Sequence, residues 1–200
     1  HTNNNMDSSR ELPANIFDIR GEKSCNWTEE IILSDKNNND QIKQSSTLST
    51  KLITDAGKSL FEYFKNNKIK LKILEIMSGN CEATKIILES LKDTVESMIC
   101  TDIVDYPNRI ALENINFNKA NAVDAVKEYG HETNALLMCS PPPENNYCDL
   151  YAIKDYIDQA NETKYIMKYI IFIGELGMSD GSNGLDKFMN EEPSLEKVYK

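Results

Sequence analysis

The sequence predicts a doubly wound α/β fold, a mainly parallel, Rossmann-like sheet with helices on both faces. Three observations carry that reading. From about residue 49 onward, short apolar runs alternate five times with segments of helical periodicity. Those runs, Ala135 to Cys139 above all, lack a polar face, as strands covered on both sides do. A chain of 200 residues with 40% hydrophobic content can also bury a core without disulfides or a structural metal.

Residues 1–48 read as a polar leader rich in Asn and Ser, with apolar islands only at Ile16-Phe17 and Trp27 to Leu33. Within it, Ser34 to Asp40 is low in complexity and is expected to be loop or disorder. Residues 49–200 are expected to form the folded domain. Leu52, Ile53, Ala56, Leu60, Phe61 and Phe64 recur at helical spacing, which predicts an amphipathic helix over 49–66 that Asn66-Asn67 ends. Ile69 to Met77 reads as the first strand, Ala83 to Leu91 as a helix and Val95 to Cys100 as the second strand. A short helix is predicted over Arg109 to Glu113, a third strand over Ile115 to Phe117 and a helix over Val123 to Tyr129. The fourth strand is Ala135 to Cys139, followed by a helix over Asp149 to Ala160 and a fifth strand over Tyr169 to Ile173. A last helix falls near 184–190, and Val198-Tyr199 is the one hint of a further strand.

Charge and composition exclude several functions. A net charge of −10 argues against a broad nucleic-acid-binding face, which needs clustered Lys and Arg. Lys65, Lys68, Lys70 and Lys72 read as a solvated helix end running into a strand. No run approaches the roughly 18–20 apolar residues of a membrane span. Five cysteines without a CxxC pair or an even framework fit reduced thiols and an intracellular, cytoplasmic setting. With His131 the one internal histidine, no His-rich metal site can be built, and the absence of GxSxG removes the usual serine hydrolase.

In such sheets ligands sit beyond the carboxyl ends of the strands, so the residues after each strand matter most. The first strand runs into Glu75-Ile76-Met77-Ser78-Gly79-Asn80-Cys81, where Gly79 permits a tight turn and close backbone approach to a ligand. The second ends at Asp102-Ile103, about 27 positions after Glu75, where an acid can accept both hydroxyls of a ribose. The region after the third strand offers Asn121-Ala122, and the fourth strand ends in Ser140-Pro141-Pro142-Pro143. Each of these also has a structural use, as a turn residue, a helix cap or a rigid bend. Their placement after successive strands of one sheet is what makes them a constellation.

This set resembles the class I S-adenosylmethionine-dependent methyltransferases. Glu75 and Gly79 match the family's E/D-x-G-x-G-x-G loop, while Met77 and Cys81 stand at its outer glycines. Asp102 matches the ribose-binding acid, and Asn121 falls where the family often has Asp beside the adenine. Ser140-Pro141-Pro142 is similar to the N/D/S-P-P-aromatic motif of methyltransferases acting on amino groups. Pro143 occupies the aromatic position, and Tyr147 is the nearest aromatic that could replace it. Phe172-Ile173-Gly174-Glu175 with Gly177, Asp180-Gly181-Ser182 and Gly184 looks like the tail of a branch of the same proteins.

The resemblance implies S-adenosylmethionine as cofactor, bound by Glu75, Met77, Ser78, Gly79, Asp102, Ile103, Asn121 and Ala122. It further implies an amine or amide acceptor, on a protein or a small molecule, positioned by Ser140, Pro141, Pro142 and Tyr147. No metal is implied. The family's sheet ends in an antiparallel strand pair, and here that pair is expected to be missing or unusually built. Two alternatives follow from the departures, a catalytically inactive methyltransferase-like scaffold and a nucleic-acid amino methyltransferase, the latter disfavoured by charge. A nicotinamide-dependent oxidoreductase would share the sheet, but the G-x-G-x-x-G fingerprint is absent.

Overall fold

In the computed structural model, which describes residues 14–21, 50–142, 145–162, 167–175, 181–191 and 195–197, strands and helices alternate along the chain. The strands are β1 (Ala14–Gly21), β2 (Leu71–Glu75), β3 (Val95–Asp102), β4 (Asn116–Lys119), β5 (Ala135–Cys139), β6 (Lys168–Glu175) and β7 (Leu195–Lys197). The helices are α1 (Thr50–Asn66), α2 (Glu82–Leu91), α3 (Ala122–Tyr129), α4 (Cys148–Glu162) and α5 (Leu185–Glu191). The seven strands form one sheet in the order β4-β3-β2-β5-β6-β1-β7, and every neighbouring pair is parallel. The fold is the expected Rossmann-like, doubly wound α/β architecture.

Side-chain alternation divides the core into two layers. Ile73, Leu137 and Ile171 point to the face covered by α1 and α2, where Ile53, Leu60, Phe64, Ile87 and Leu91 are buried. Their strand neighbours Leu74, Leu136 and Ile170 point to the other face, against Val126 of α3, Tyr156 of α4 and Leu185 of α5. Burial on both sides is why the strands read as continuous apolar runs. Helix α1 ends as the Asn66-Asn67 pair suggests, but the left-handed residue is Lys68, with φ 55°. Asn67 closes the turn by donating its backbone N–H and its Nδ2 to the Tyr63 carbonyl.

Three sequence expectations change. First, Ala14–Gly21 lies in the segment expected to be a polar leader, yet it is a strand of the sheet, paired with β6 and β7. Its two-residue apolar island serves both layers, since Ile16 enters the α4 side and Phe17 the α1 side. Second, Arg109 to Glu113 is not helical. The Ile110 N–H donates to the Asn80 carbonyl at 2.8 Å, so the segment spends its hydrogen bonds on the β2–α2 loop instead of on itself. Third, β2 is shorter than the Ile69 to Met77 run, ending before Met77, which turns into a left-handed conformation at φ 53°. Where the antiparallel pair was expected to be missing or unusually built, the sheet beyond β6 is completed by β1 and β7, both parallel. Val198-Tyr199 and the 34–40 segment lie outside the described residues.

At the amino edge of β6 the buried Lys168 ammonium donates to the carbonyls of Gly130 (2.7 Å) and Thr133 (2.5 Å) and stands 4.6 Å from the Tyr156 ring centroid. Burial pulls its pKa down to about 8. The Tyr156 hydroxyl, 3.0 Å from Thr133 Oγ1, closes the cluster and fixes the α3–β5 connection against α4 and β6.

The aromatic contacts of Phe17 with Tyr63 (5.0 Å) and Phe64 (5.3 Å) make β1 part of the core. Phe17→Ala is therefore expected to cost about 3–5 kcal/mol, measured as a fall in the urea midpoint at unchanged slope. A loss below about 1 kcal/mol would mean that β1 is dispensable.

Candidate functional site

The strand order reverses between β2 and β5, so their chains leave the sheet in diverging directions and open a crevice at the carboxyl edge. The segments that emerge there are residues 76–81 and 140–142, which carry the glycine turn and the Ser-Pro-Pro bend singled out in the sequence.

The glycine turn is held in an unusual backbone conformation. Met77, Gly79 and Cys81 have φ of 53°, 57° and 67°, a region that only glycine occupies without strain. Ser78 N–H donates to the Thr101 carbonyl at 3.0 Å, and Gly79 N–H donates to Asp102 Oδ2 at 2.8 Å. Asp102 thus joins the loop to the end of β3, and its other oxygen accepts Val104 N–H at 3.0 Å. Burial raises its carboxyl pKa, while these backbone donors oppose the rise. A Cβ at Gly79 would meet nothing within 4 Å, so the glycine answers to the backbone and leaves the outer side of the turn open. Ile103 beside it is 60% exposed, an apolar residue at the rim of the crevice.

Glu75 lies beneath this turn, not at its surface. It is buried, and Oε1 accepts from Thr84 Oγ1 of α2 and from Cys100 Sγ of β3 at 3.7 Å. Burial pushes its pKa up to about 8, so at neutral pH it is mostly a protonated carboxyl. Its place in the fold is to bolt α2 and β3 to β2 under the loop. Asn121 is also committed: it caps α3 by accepting Asp124 N–H on Oδ1, and its Nδ2 donates to Asp124 Oδ2, both at 2.8 Å. Ala122 is buried in the α3 layer.

Across the crevice, Ser140 has φ 48°, and its N–H is spent on the Ile173 carbonyl at 2.8 Å. Its hydroxyl is buried without a hydrogen-bond partner. A buried, unpaired hydroxyl is costly, so Oγ is a candidate contact group. Pro141 and Pro142 do not leave their carbonyls idle. The first accepts Gly181 N–H at 2.6 Å and the second accepts Asn145 Nδ2 at 2.7 Å. Tyr147 stands one residue before α4 with φ 60° and is 46% exposed. Pro143 lies outside the described residues.

Asn145, Asp149 and Ser182 complete the site, and sequence reasoning did not single out the first two. Asn145 Nδ2 also donates to Asp149 Oδ2 at 3.0 Å and lies 3.9 Å from Met77 Sδ, linking the two loops. Its Oδ1 accepts Ser182 Oγ at 2.7 Å, and Asp149 Oδ2 accepts Ser182 N–H at 2.7 Å. Gly181 is required at this crossing, since φ is +87° and a Cβ would lie 2.7 Å from Asp149 Oδ2. The one signal available was the Gly181-Ser182 pair in the tail that resembles methyltransferases. His131 is exposed in a single turn at Gly130–Glu132, away from these groups. No metal-binding group of His, Cys, Asp or Glu occurs among the described residues. An open groove of about 450 Å³ between β1 and α1, lined by Phe17, Ile19, Leu52 and Tyr63, lies on the flank of the sheet and not at this edge.

Because Glu75 keeps its proton to higher pH when folded, the folded chain binds more protons than the unfolded one between about pH 4.5 and 8. That contribution to stability is complete below about pH 4.5 and is lost as pH rises through about 8. Glu75→Gln, which retains an acceptor for Thr84, is expected to flatten this decline when urea midpoints are compared at pH 5 and pH 8. An unchanged slope would place the titration elsewhere; Lys168 acts in the opposite direction, above about pH 8. No family model and no curated protein sequence matches this chain.

Proposed function

We propose that the chain is an S-adenosylmethionine-dependent methyltransferase acting on an amine or amide of a protein or small molecule. One observation carries the reading: the Asp102-tethered Gly79 turn and Ser140, whose buried hydroxyl has no protein partner, follow β2 and β5 at the reversal of strand order. The open outer side of Gly79 leaves room for a ligand against the backbone. Asp102 would hold the ribose through the lone pairs its backbone bonds leave free, and Ile103 would cover the adenine. Asn121 would contribute through the α3 amino terminus that it caps, not through a free side chain.

The cofactor would supply an electrophilic methyl group on sulfonium, and in-line transfer then depends mainly on placing the acceptor. Ser140 Oγ would accept an N–H of the incoming amine and fix the direction of its lone pair. Strain at Ser140 is tolerable because Pro141 and Pro142 are anchored by Gly181 and Asn145. Asn145, Asp149 and Ser182 are positioning residues in this scheme, since they touch the bend and not the substrate.

The inactive scaffold remains the second reading, favoured by Glu75 being buried and protonated and by Asn121 being fully engaged. A nucleic-acid acceptor is disfavoured by the net charge of −10. No described helix is long and apolar enough to cross a membrane.

Titration calorimetry with S-adenosylmethionine and S-adenosylhomocysteine separates the two readings. Saturable heat is expected, with affinity weakened by about tenfold or more in Asp102→Ala, the loss of hydrogen bonds to a charged group. Ser140→Ala is expected to leave cofactor affinity within about twofold, because its role concerns the acceptor. Absence of heat at millimolar ligand, with the protein folded, would remove the enzyme reading and leave the scaffold.

A further inference from the structure

Two thiols meet beneath the Gly79 turn and take no part in the chemistry proposed above. Cys81 closes the turn at φ 67°, where a glycine would sit without strain. Cys100 lies on β3 in register with Glu75 of β2. Both side chains belong to the same core layer and are 2% and 1% exposed, and each thiol perturbs the ionisation of the other. Cys81 Sγ also lies 3.8 Å from Ser78 Oγ, and Cys100 Sγ lies 3.7 Å from Glu75 Oε1. A strained cysteine thus shares one buried layer with a second thiol, which lies against the Glu75 carboxyl.

We propose that Cys81 and Cys100 are a redox pair that closes to an intramolecular disulfide on reaction with a hydroperoxide, tying the start of α2 to β3. The environment divides the labour. Hydrogen bonds from Cys100, Ser78 and Thr84, with the Arg109 charge nearby, pull the Cys81 thiol toward its thiolate. Cys100 is held in its protonated form by that same pairing, by burial and by Glu75. Cys81 sulfur attacks the peroxide oxygen, the O–O bond breaks, and the products are a sulfenic acid and water (or an alcohol). Cys100 sulfur then displaces hydroxide from the sulfenic sulfur, forming the S–S bond. Its proton is taken up by that hydroxide, which leaves as a second water. Two thiols give up two electrons, and one peroxide is reduced.

Access runs through the turn itself. Met77 and Cys81 hold left-handed conformations that non-glycine residues disfavour, which lowers the cost of opening this segment relative to an unstrained turn. The device is independent of the methyltransferase reading, since it needs only the loop and β3. Where that reading also holds, oxidation fixes the loop that would line the cofactor.

The test treats reduced full-length protein with stoichiometric hydrogen peroxide, blocks free thiols with iodoacetamide and maps the peptides. A linked pair containing Cys81 and Cys100 is expected before Cys139 or Cys148 is oxidised, and the oxidised protein is expected to unfold at higher urea than the reduced one. Cys81→Gly suits the left-handed backbone and keeps the chain folded, and it is expected to abolish the linkage. Thiols that all remain alkylatable after excess peroxide would overturn the proposal. So would sulfinic or sulfonic acid at either cysteine without a linkage, or a linkage between other cysteines.

Discussion

A parallel sheet covered on both faces leaves the chain few places to do chemistry. Its faces are filled by two apolar layers, and its amino edge is closed by the buried Lys168 cluster. The carboxyl edge between β2 and β5 is where the order of strands reverses and the connecting segments part. Several unusual features gather there: left-handed Met77, Cys81 and Ser140, a buried carboxyl, two buried thiols and a hydroxyl without a protein partner. Such features cost stability individually, and their concentration at one edge fits a functional site better than chance in packing.

Two polar networks hold that edge in shape, and they divide the work. Under the glycine turn, Glu75 gathers Thr84 and Cys100, and Asp102 reaches back to Gly79. Under the Ser-Pro-Pro bend, Asn145 and Asp149 gather Pro142, Ser182 and, through Gly181, the connection after β6. Each network replaces water around buried polar atoms with protein partners, which makes the loops rigid without apolar packing. The contact between Asn145 and Met77 Sδ is where the two meet. A protonated Glu75 serves this purpose better than a charged one, because no cation among the described residues offsets the burial of a charge there.

Much of the sheet was legible because burial on both faces writes apolar runs directly into the sequence. Ala135 to Cys139 is read without error, and α1 and α2 shift by a single residue at their starts. β1 was not legible: only Ile16 and Phe17 signal it amid polar neighbours, and its partner β6 lies some 150 positions away. Gly79, Asp102 and Ser140 were singled out from their places after strands, and the structure places them after β2, at the end of β3 and after β5 at the carboxyl edge. Asn145 and Asp149 were missed because their value comes from contacts across three loops, which no local pattern records. Glu75 and Asn121 were read as ligand-facing, whereas one is buried under the turn and the other is consumed by a cap. A side chain's identity and position predicted its element in both cases but not its direction.

The central claim is that the crevice between β2 and β5 is a ligand site built on the Gly79 turn. Hydrogen exchange of the full chain with and without saturating S-adenosylhomocysteine tests it most directly, because it reports position as well as binding. Slowed exchange is predicted at amides 77–81 and 102–104, with residues 14–21 and the flank of α1 unchanged. Protection confined to the β1–α1 groove, or none anywhere at saturating ligand, would contradict the account.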